Sequence, residues 1–321
     1  MSSILTNASA LSALQSLRET QSALKTTENQ VSTGLAVSSA ADNAAYWSIA
    51  TQLNSDSGVV TAADQALSQS QSVLSTATSA IGSIVSTIKS IQTALTEATN
   101  PGADIGQIAT TLTSLGQQLS DAVNGASFNG LNVLDGTQAT AGATAGTISF
   151  VSGFNATATG GTVNTIGLAT QALIATTAGV AAGATAKSGL LEGGTGSAAG
   201  TGVDLTGIGA ALSTAYGTGN AAGATAAAAL ANTDLGGVAT VLNAVTNYAA
   251  QIGATQDRMT AASTFNSALT TNYSTGVSAL VDADMNQAST RLQALQTQEQ
   301  LGIQSLSIAN QNAQLILKLF P

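Results

Sequence analysis

The sequence predicts a mainly α protein: a long antiparallel helical coiled-coil rod formed by both chain ends, with a small β-hairpin and a small Ala/Gly/Thr-rich insert in the middle. Three observations predict it. In the last forty residues Met285, Leu292, Glu299, Leu306, Ala313 and Phe320 stand seven apart, and Ala288, Leu295, Gly302, Ala309 and Ile316 lie three further on. That is a heptad seam, whose two apolar lines turn toward one partner. A longer seam runs through Tyr46, Leu53, Val60, Leu67, Leu74, Ile81, Ile88 and Leu95, with Ile49, Ala63, Ala77, Ile84, Ile91 and Ala98 beside it and Asp56 and Ser70 as polar exceptions. Finally, the chain of 321 residues has only two prolines, Pro101 and Pro321, so little interrupts a helix.

Taken in order, residues 3–35 form the first amphipathic segment. Ile4, Ala8, Leu11, Leu14 and Leu17 step by three or four, and Leu17, Leu24 and Val31 by seven. Residues 32–45, STGLAVSSAADNAA, break the pattern; Gly34 and the Ser/Asp/Asn cluster predict a connector, with Asp42 as the next helix's N-cap. The seam from Tyr46 then continues for some fifty residues, roughly 75 Å of helix, a length that suits a bundle better than a globular domain. Asn100-Pro101-Gly102 is a turn, Asp104 can cap the third helix, and Ile105, Ile108, Leu112, Leu115, Leu119 and Ala122 repeat the heptad within it. That helix should fold back antiparallel and end near Asn124-Gly125.

After residue 126 the period changes. Thr147–Val151 and Thr162–Ile166 read as the two strands of a hairpin. Residues 169–232 are rich in Ala, Gly and Thr, with Lys187, Glu192 and Asp204 as the only charges, and predict a small insert of sparse structure. From Asp234 the seam returns through Val238, Val241, Val245, Tyr248, Ile252, Met259, Ala262, Leu269 and Tyr273. Asp282 and Asp284 stand where the dipole of the last helix favours negative charge. That helix carries a second apolar line (Leu301, Ile303, Ile308, Leu315, Leu317). A helix with two apolar sides cannot bury both against one partner. Cover is expected from far upstream or from other molecules.

Composition excludes several classes of function. A net charge of −9, with seven scattered basic residues, argues against nucleic-acid binding. Charged residues are 7% against a usual quarter or so, so the polar surface must be Ser, Thr, Asn and Gln. No run of apolar residues is long enough for a membrane span. The first twenty residues lack a basic region followed by a continuous apolar core, so export by a cleaved signal of that kind is not expected.

The chain has no Cys and no His, which removes disulfides, thiolate chemistry, the commonest metal ligand and the commonest general base. Neither a dinucleotide nor a phosphate-loop pattern is met: position 199 is Ala, and no Gly precedes Lys187. Asp282 and Asp284 lack the ligand spacing of a calcium loop. The expectation is no enzyme, no cofactor and no metal.

Both terminal segments thus carry more apolar face than one intramolecular pair buries. Repeated association that does not close on itself gives an open helical polymer. Here the sequence resembles a family. STGLAVSSAADNAAYWSIA (32–50), with Gly34, Asp42 and Asn43, resembles the connector of bacterial flagellins. GASFNGLNVL (125–134), centred on Phe128, Asn129 and Gly130, is similar to the motif that ends their second rod helix. Residues 280–320, opening on Leu280-Val281-Asp282-Ala283-Asp284, resemble their C-terminal assembly segment. The resemblance covers about 1–168 and 233–320.

The resemblance implies a structural subunit of the extracellular flagellar filament used for swimming motility, exported through the flagellum's own channel and assembled at the tip. Residues 1–43 with 281–321 would be the terminal coiled-coil assembly domain, 44–168 with 233–280 the helical rod domain, and 169–232 the variable outer insert. Assembly would rest on Leu11, Leu14, Leu17, Leu24 and Val31 at one end and Met285, Leu292, Leu295, Leu306, Ile316 and Phe320 at the other. Implied partners are other copies of the chain, the export apparatus and its chaperone, the cap, and the hook-junction proteins, with neither nucleic acid nor membrane. Innate immune receptor recognition is doubtful: Lys89 is the only basic residue in Ser83–Thr99, and the arginines of the stimulatory pattern are missing. The alternatives are a hook–filament junction protein, which would not polymerise alone, and a secreted coiled-coil adhesin or binding module of fixed oligomer size.

Overall fold

The computed structural model describes residues 7–135, 145–157, 160–174, 189–191, 203–217 and 221–319; of 312–319 only the backbone is described. Six helices and two hairpins are found among them: α1 (Ala8–Thr33), α2 (Ala44–Ala98), α3 (Ile105–Asn124), β1 (Ser127–Phe128), β2 (Leu131–Asn132), β3 (Ala145–Thr157), β4 (Gly160–Gln171), α4 (Ile208–Tyr216), α5 (Ala221–Val281) and α6 (Met285–Leu319). The fold is mainly α, as its heptads require. Contacts divide it into two compact units, Met1–Gly58 with Leu269–Pro321, and Val59–Ala268. The long helices α2 and α5 each contribute to both.

The unit Val59–Ala268 holds the core. The α2 seam is buried from Val60 through Leu67, Leu74, Ile81, Ile88 and Leu95, and so is its companion line from Ala63 through Ala77, Ile84, Ile91 and Ala98. Facing residues come from α3 (Ile108, Leu112, Leu119) and α5 (Val238, Val241, Val245, Ile252, Met259). The turn after α2 uses Gly102 at φ +91°. Asp104 then caps α3 by accepting from the Gln107 N–H at 3.1 Å. This is the usual way an orphan donor of the first turn is satisfied.

The β3–β4 hairpin is antiparallel, pairing Phe150 with Ile166 and Ile148 with Leu168. It is longer than the two five-residue strands expected. Its register shifts between Val151 and Gly153, and the bulge leaves Ser152 out of step. Asn266 of α5, a buried polar residue, donates from Nδ2 to the Ser152 carbonyl at 3.0 Å. A bulged residue leaves a ladder group unpaired, and burying a polar side chain is tolerable when it makes that bond.

The segment 169–232 differs from the sparse insert expected. Helix α5 reaches back to Ala221, and α4 occupies 208–216. Leu173 donates its N–H to the Leu134 carbonyl, Leu191 to Leu173, and Leu205 to Leu191, each at 2.8 Å. All four leucines are fully buried in the main core, as are Leu212, Ala227 and Ala231. The described parts of the segment therefore add to the core and build none of their own. Apolar pieces as short as Ala172-Leu173-Ile174 and Leu205 suggest only a sparsely structured insert, because they are too brief to show a period. Of the charges in this segment, Lys187 and Glu192 lie outside the described residues.

Helix α4 crosses α3 at very short range. A Cβ on Gly116 would stand 2.6 Å from the Thr206 carbonyl oxygen, and one on Gly209 would collide with the Thr113 backbone. Gly116→Ala should therefore push the Leu205–Thr206 loop that leads into α4 away from α3 and lower stability by about 1–3 kcal/mol, read as the thermal midpoint of the purified monomer.

Tyr248 ties α5 to the chain just after β2. Its ring is buried and its hydroxyl donates to the Val133 carbonyl at 2.8 Å. Burial pushes its phenol up from 10.0 to about 12. The folded value is raised, so this contribution to stability is complete below pH 10 and is lost as pH rises through 10 toward 12. Tyr248→Phe should cost about 1–3 kcal/mol, because it strands a buried carbonyl. It should also flatten the alkaline decline seen in unfolding titrations.

Candidate assembly interface

The unit Met1–Gly58 with Leu269–Pro321 is built on α1 and α6. They run antiparallel: Asn7, at the start of α1, donates Nδ2 to the Ala309 carbonyl late in α6 at 3.0 Å, and Gln21 Nε2 reaches Glu299 Oε1 at 3.1 Å. Along α6 the inward residues are Ala288, Leu292, Leu295, Glu299, Gly302, Leu306 and Ala309, the heptad seam itself. Along α1 they are Ala10, Ala13, Leu14, Leu17, Thr20, Ala23, Leu24, Thr27 and Val31. Gly302 gives Leu17 room; a Cβ there would meet Leu17 Cδ1 at 3.2 Å.

This seam is only half closed. Thr27, Ala288 and Leu295 are the sole buried residues of the two helices among those described; Leu14, Leu17, Leu24, Val31, Leu292 and Leu306 keep intermediate exposure. Two helices alone offer each other one side and leave the flanks of every knob to water. Thr27 is satisfied internally, donating to the Ala23 carbonyl at 2.9 Å. The second apolar line of α6 faces out, with Leu301 58% and Ile308 60% exposed and Ile303 close behind. Leu11 is equally open, on the outer side of α1 and off the inward line that Leu14 and Leu17 share. Met285 is exposed too, since α1 ends at Thr33 and gives way to the connector. Phe320 and the side chains of Ile316, Ala313, Leu315 and Leu317 lie outside the described residues, as does Ile4.

The connector joins the two helices by backbone pairing. Gly34 closes α1 at φ +75°, its N–H returning to the Gln30 carbonyl, a left-handed cap that glycine adopts without strain. The Gly34 carbonyl accepts from the Ala283 N–H at 2.9 Å, and the Val281 carbonyl accepts from Ala36 at 2.7 Å and Val37 at 3.2 Å. Leu35 bridges Asp282, so Asp282 sits in the joint and not on the last helix. Asp284 caps α6, accepting at Oδ1 from the N–H groups of Asn286 (2.9 Å) and Gln287 (3.2 Å).

The cap of α2 is one residue later than expected. Asn43, not Asp42, takes the Ala45 and Tyr46 N–H groups at 3.1 and 3.2 Å. Asp42 instead gathers the loop before it, accepting the N–H and hydroxyl of both Ser38 and Ser39 at one carboxylate oxygen. The Ser39 hydroxyl, then the Ser39 N–H and the Ser38 hydroxyl, hold its carboxyl below the usual carboxylate range. Two neighbouring residues of capping type cannot be ranked from sequence, because either can occupy the position.

Phe128, Asn129 and Gly130 belong to the other unit. Asn129 (φ 51°) and Gly130 (φ 78°) form the two-residue turn between β1 and β2, which needs positive φ at both positions. The buried Asn132 beside them donates Nδ2 to the Val123 carbonyl at 2.7 Å and accepts from the Leu134 N–H at 2.8 Å, fixing the hairpin to the end of α3. Half-exposed Phe128 stands over a hollow of about 180 Å³ lined by Gln69, Val73, Leu131 and Phe150.

Two sets of residues were invisible to an apolar count. Ala10, Thr20 and Thr27 line the seam without being large or greasy. At the start of α2 the spacing assigned Tyr46 and Ile49 to the core line; both are open, and Ala50 is buried in place of Ile49. No group of three or more His, Cys, Asp or Glu that could hold a metal occurs among the described residues. No described helix is long and apolar enough to cross a membrane.

Comparison with known proteins matches the same two ends. Residues 4–139 match the bacterial flagellin N-terminal helical region, and residues 235–320 the bacterial flagellin C-terminal helical region. Flagellin C of Rhizobium meliloti (strain 1021) is 38% identical over 322 residues, covering 100% of this chain and 99% of that protein. A flagellin of Brucella melitensis biotype 1 is 35% identical with the same coverage. Flagellin FljM of Caulobacter vibrioides is 30% identical over 323 residues, again covering 100% and 99%. Matched at both helical ends and aligned throughout with curated relatives, the chain belongs to the bacterial flagellins, the structural subunits of the flagellar filament.

Proposed function

We propose that this flagellin polymerises by completing the half-closed α1–α6 seam and covering the outward line of α6 with neighbouring copies. The observation that carries the proposal is the pair of exposures at Leu301 and Ile308 on a helix whose other side is already occupied by α1. Residues 1–43 and 281–321 act as the assembly segments. Within them Leu14, Leu17, Leu24, Val31, Leu292, Leu295 and Leu306 form the seam, and Leu11, Met285, Leu301, Ile303 and Ile308 the surface offered to other copies. Ile316 and Phe320 extend the heptad spacing of the seam. Gly34, Asp42, Asn43, Asp282 and Asp284 set the joint that aims the two helices, and Phe128, Asn129 and Gly130 form a turn whose exposed ring suits a subunit contact.

Each apolar side chain moved from water into such a contact contributes roughly 1.5–3 kcal/mol. Several per subunit, repeated at every addition, outweigh the ordering cost of association. The remaining partners come with membership of the family: export through the flagellum's own channel without a cleaved signal, an export chaperone, the cap and the hook-junction proteins. Recognition by an innate immune receptor is doubtful, given Lys89 as the lone basic residue of Ser83–Thr99.

Seeded cooling of heat-dissociated protein, with electron microscopy of the product, tests the reading; long filaments are expected. A discrete oligomer of fixed size would instead indicate a binding module. Leu292→Asp puts a charge into the seam and should abolish growth while the core unit keeps its melting transition. Leu301→Ser and Ile308→Ser should each raise the critical concentration by about tenfold to a hundredfold and leave the helicity of the monomer unchanged. Growth at the parent concentration would remove the outward line of α6 from the interface.

A further inference from the structure

The first turns of α2 carry an apolar face that the chain leaves open. Tyr46 continues the heptad line that is fully buried at Val60, Leu67 and Leu74, and Ile49 its companion line, yet they are 47% and 50% exposed. Beside them stands Trp47, the only tryptophan of the chain, 40% exposed. Tryptophan is among the residues most enriched where binding energy concentrates.

The reason for the exposure is local. Helix α5 supplies the cover further along, where a Cβ on Gly276 would touch Leu53 Cδ1 at 3.7 Å. It ends at Val281, whose carbonyl is taken by the connector residues Ala36 and Val37. At the helical rise of α2, Tyr46 and Trp47 fall beyond that end, and Ile49 lies level with its last turn. The seam therefore outlasts its partner helix.

We propose that Tyr46, Trp47 and Ile49 form a further subunit contact, filled by apolar side chains of a neighbouring copy of this chain. The inference rests on the filament reading above. Three features select a second copy as the occupant. The patch lies in the same compact unit as α1 and α6, a short way along the chain from the connector that joins them. Residues 43–55 carry no charge, so nothing there recognises a headgroup, a phosphate or a charged peptide. The nearby hydroxyl of Thr51 is already spent on the Trp47 carbonyl at 2.7 Å, which leaves the surface apolar and suited to a partner that is itself poor in charge.

The sole tryptophan makes the test direct in the unmodified full chain. On seeded filament growth, emission from Trp47 should move to shorter wavelength and lose accessibility to acrylamide. Trp47→Ala and Ile49→Ser should each raise the critical concentration at least about tenfold, with monomer melting unchanged. Filaments in which Trp47 stays as accessible as in the monomer would overturn the proposal while leaving assembly through α1 and α6 intact. So would a monomer whose tryptophan is already shielded, which would mean that another part of the same chain covers it. Failure of the parent chain to form filaments at all would sink both readings.

Discussion

An apolar line on a helix has to be covered, and the architecture of this chain depends on how far each line is covered within one copy. In the unit Val59–Ala268, α2 meets α3, α5 and the β3–β4 hairpin, and its seam is sealed. In the unit Met1–Gly58 with Leu269–Pro321, α1 has α6 and little else, and the seam is left half open. The same heptad rule therefore yields a finished core in one unit and an unfinished one in the other. A filament subunit needs both: a part that is stable alone, and a part that gains its burial only when copies meet.

The unusual polarity serves the same end. With so few charges, the helices present hydroxyls, and many of these bond backward to their own backbone: Ser70 to Ala66, Thr78 to Leu74, Thr87 to Ser83, Thr93 to Lys89. A hydroxyl already paired within its helix needs no water and no partner when it is buried. Such a face can be packed against a neighbour at little desolvation cost, whereas a Lys or Glu would have to be stripped of water or matched. The connector works differently, through backbone pairing between residues 34–37 and 281–283, so its geometry depends on Gly34 and the caps and not on side-chain bulk.

Most of the helical plan was legible in the residues. Period seven in Val60–Leu95 and in Ala288–Ala309 named the inward positions of α2 and α6 almost one by one. Pro101, Gly102 and Asp104 marked the turn into α3, and the alternation around Phe150 and Ile166 marked the hairpin. What could not be read is equally specific. Leu173, Leu191 and Leu205 sit in a low-complexity stretch with no neighbours in phase. Spacing alone does not show that Ala50, and not Ile49, is the residue turned inward at the start of α2. The choice of Asn43 over Asp42 as cap depends on where the connector releases the chain.

The division has a physical basis. Periodicity states which side of a helix avoids water, and that is a local property written every three or four residues. It specified the helices and their seams, and the motifs at both ends pointed to the flagellin family. Whether a partner is present opposite each turn is a non-local matter of helix length and chain path. Only the folded arrangement set which lines close inside the monomer, put the leucines of the insert into the main core, and left Leu301, Ile308 and the Tyr46–Trp47–Ile49 turn open.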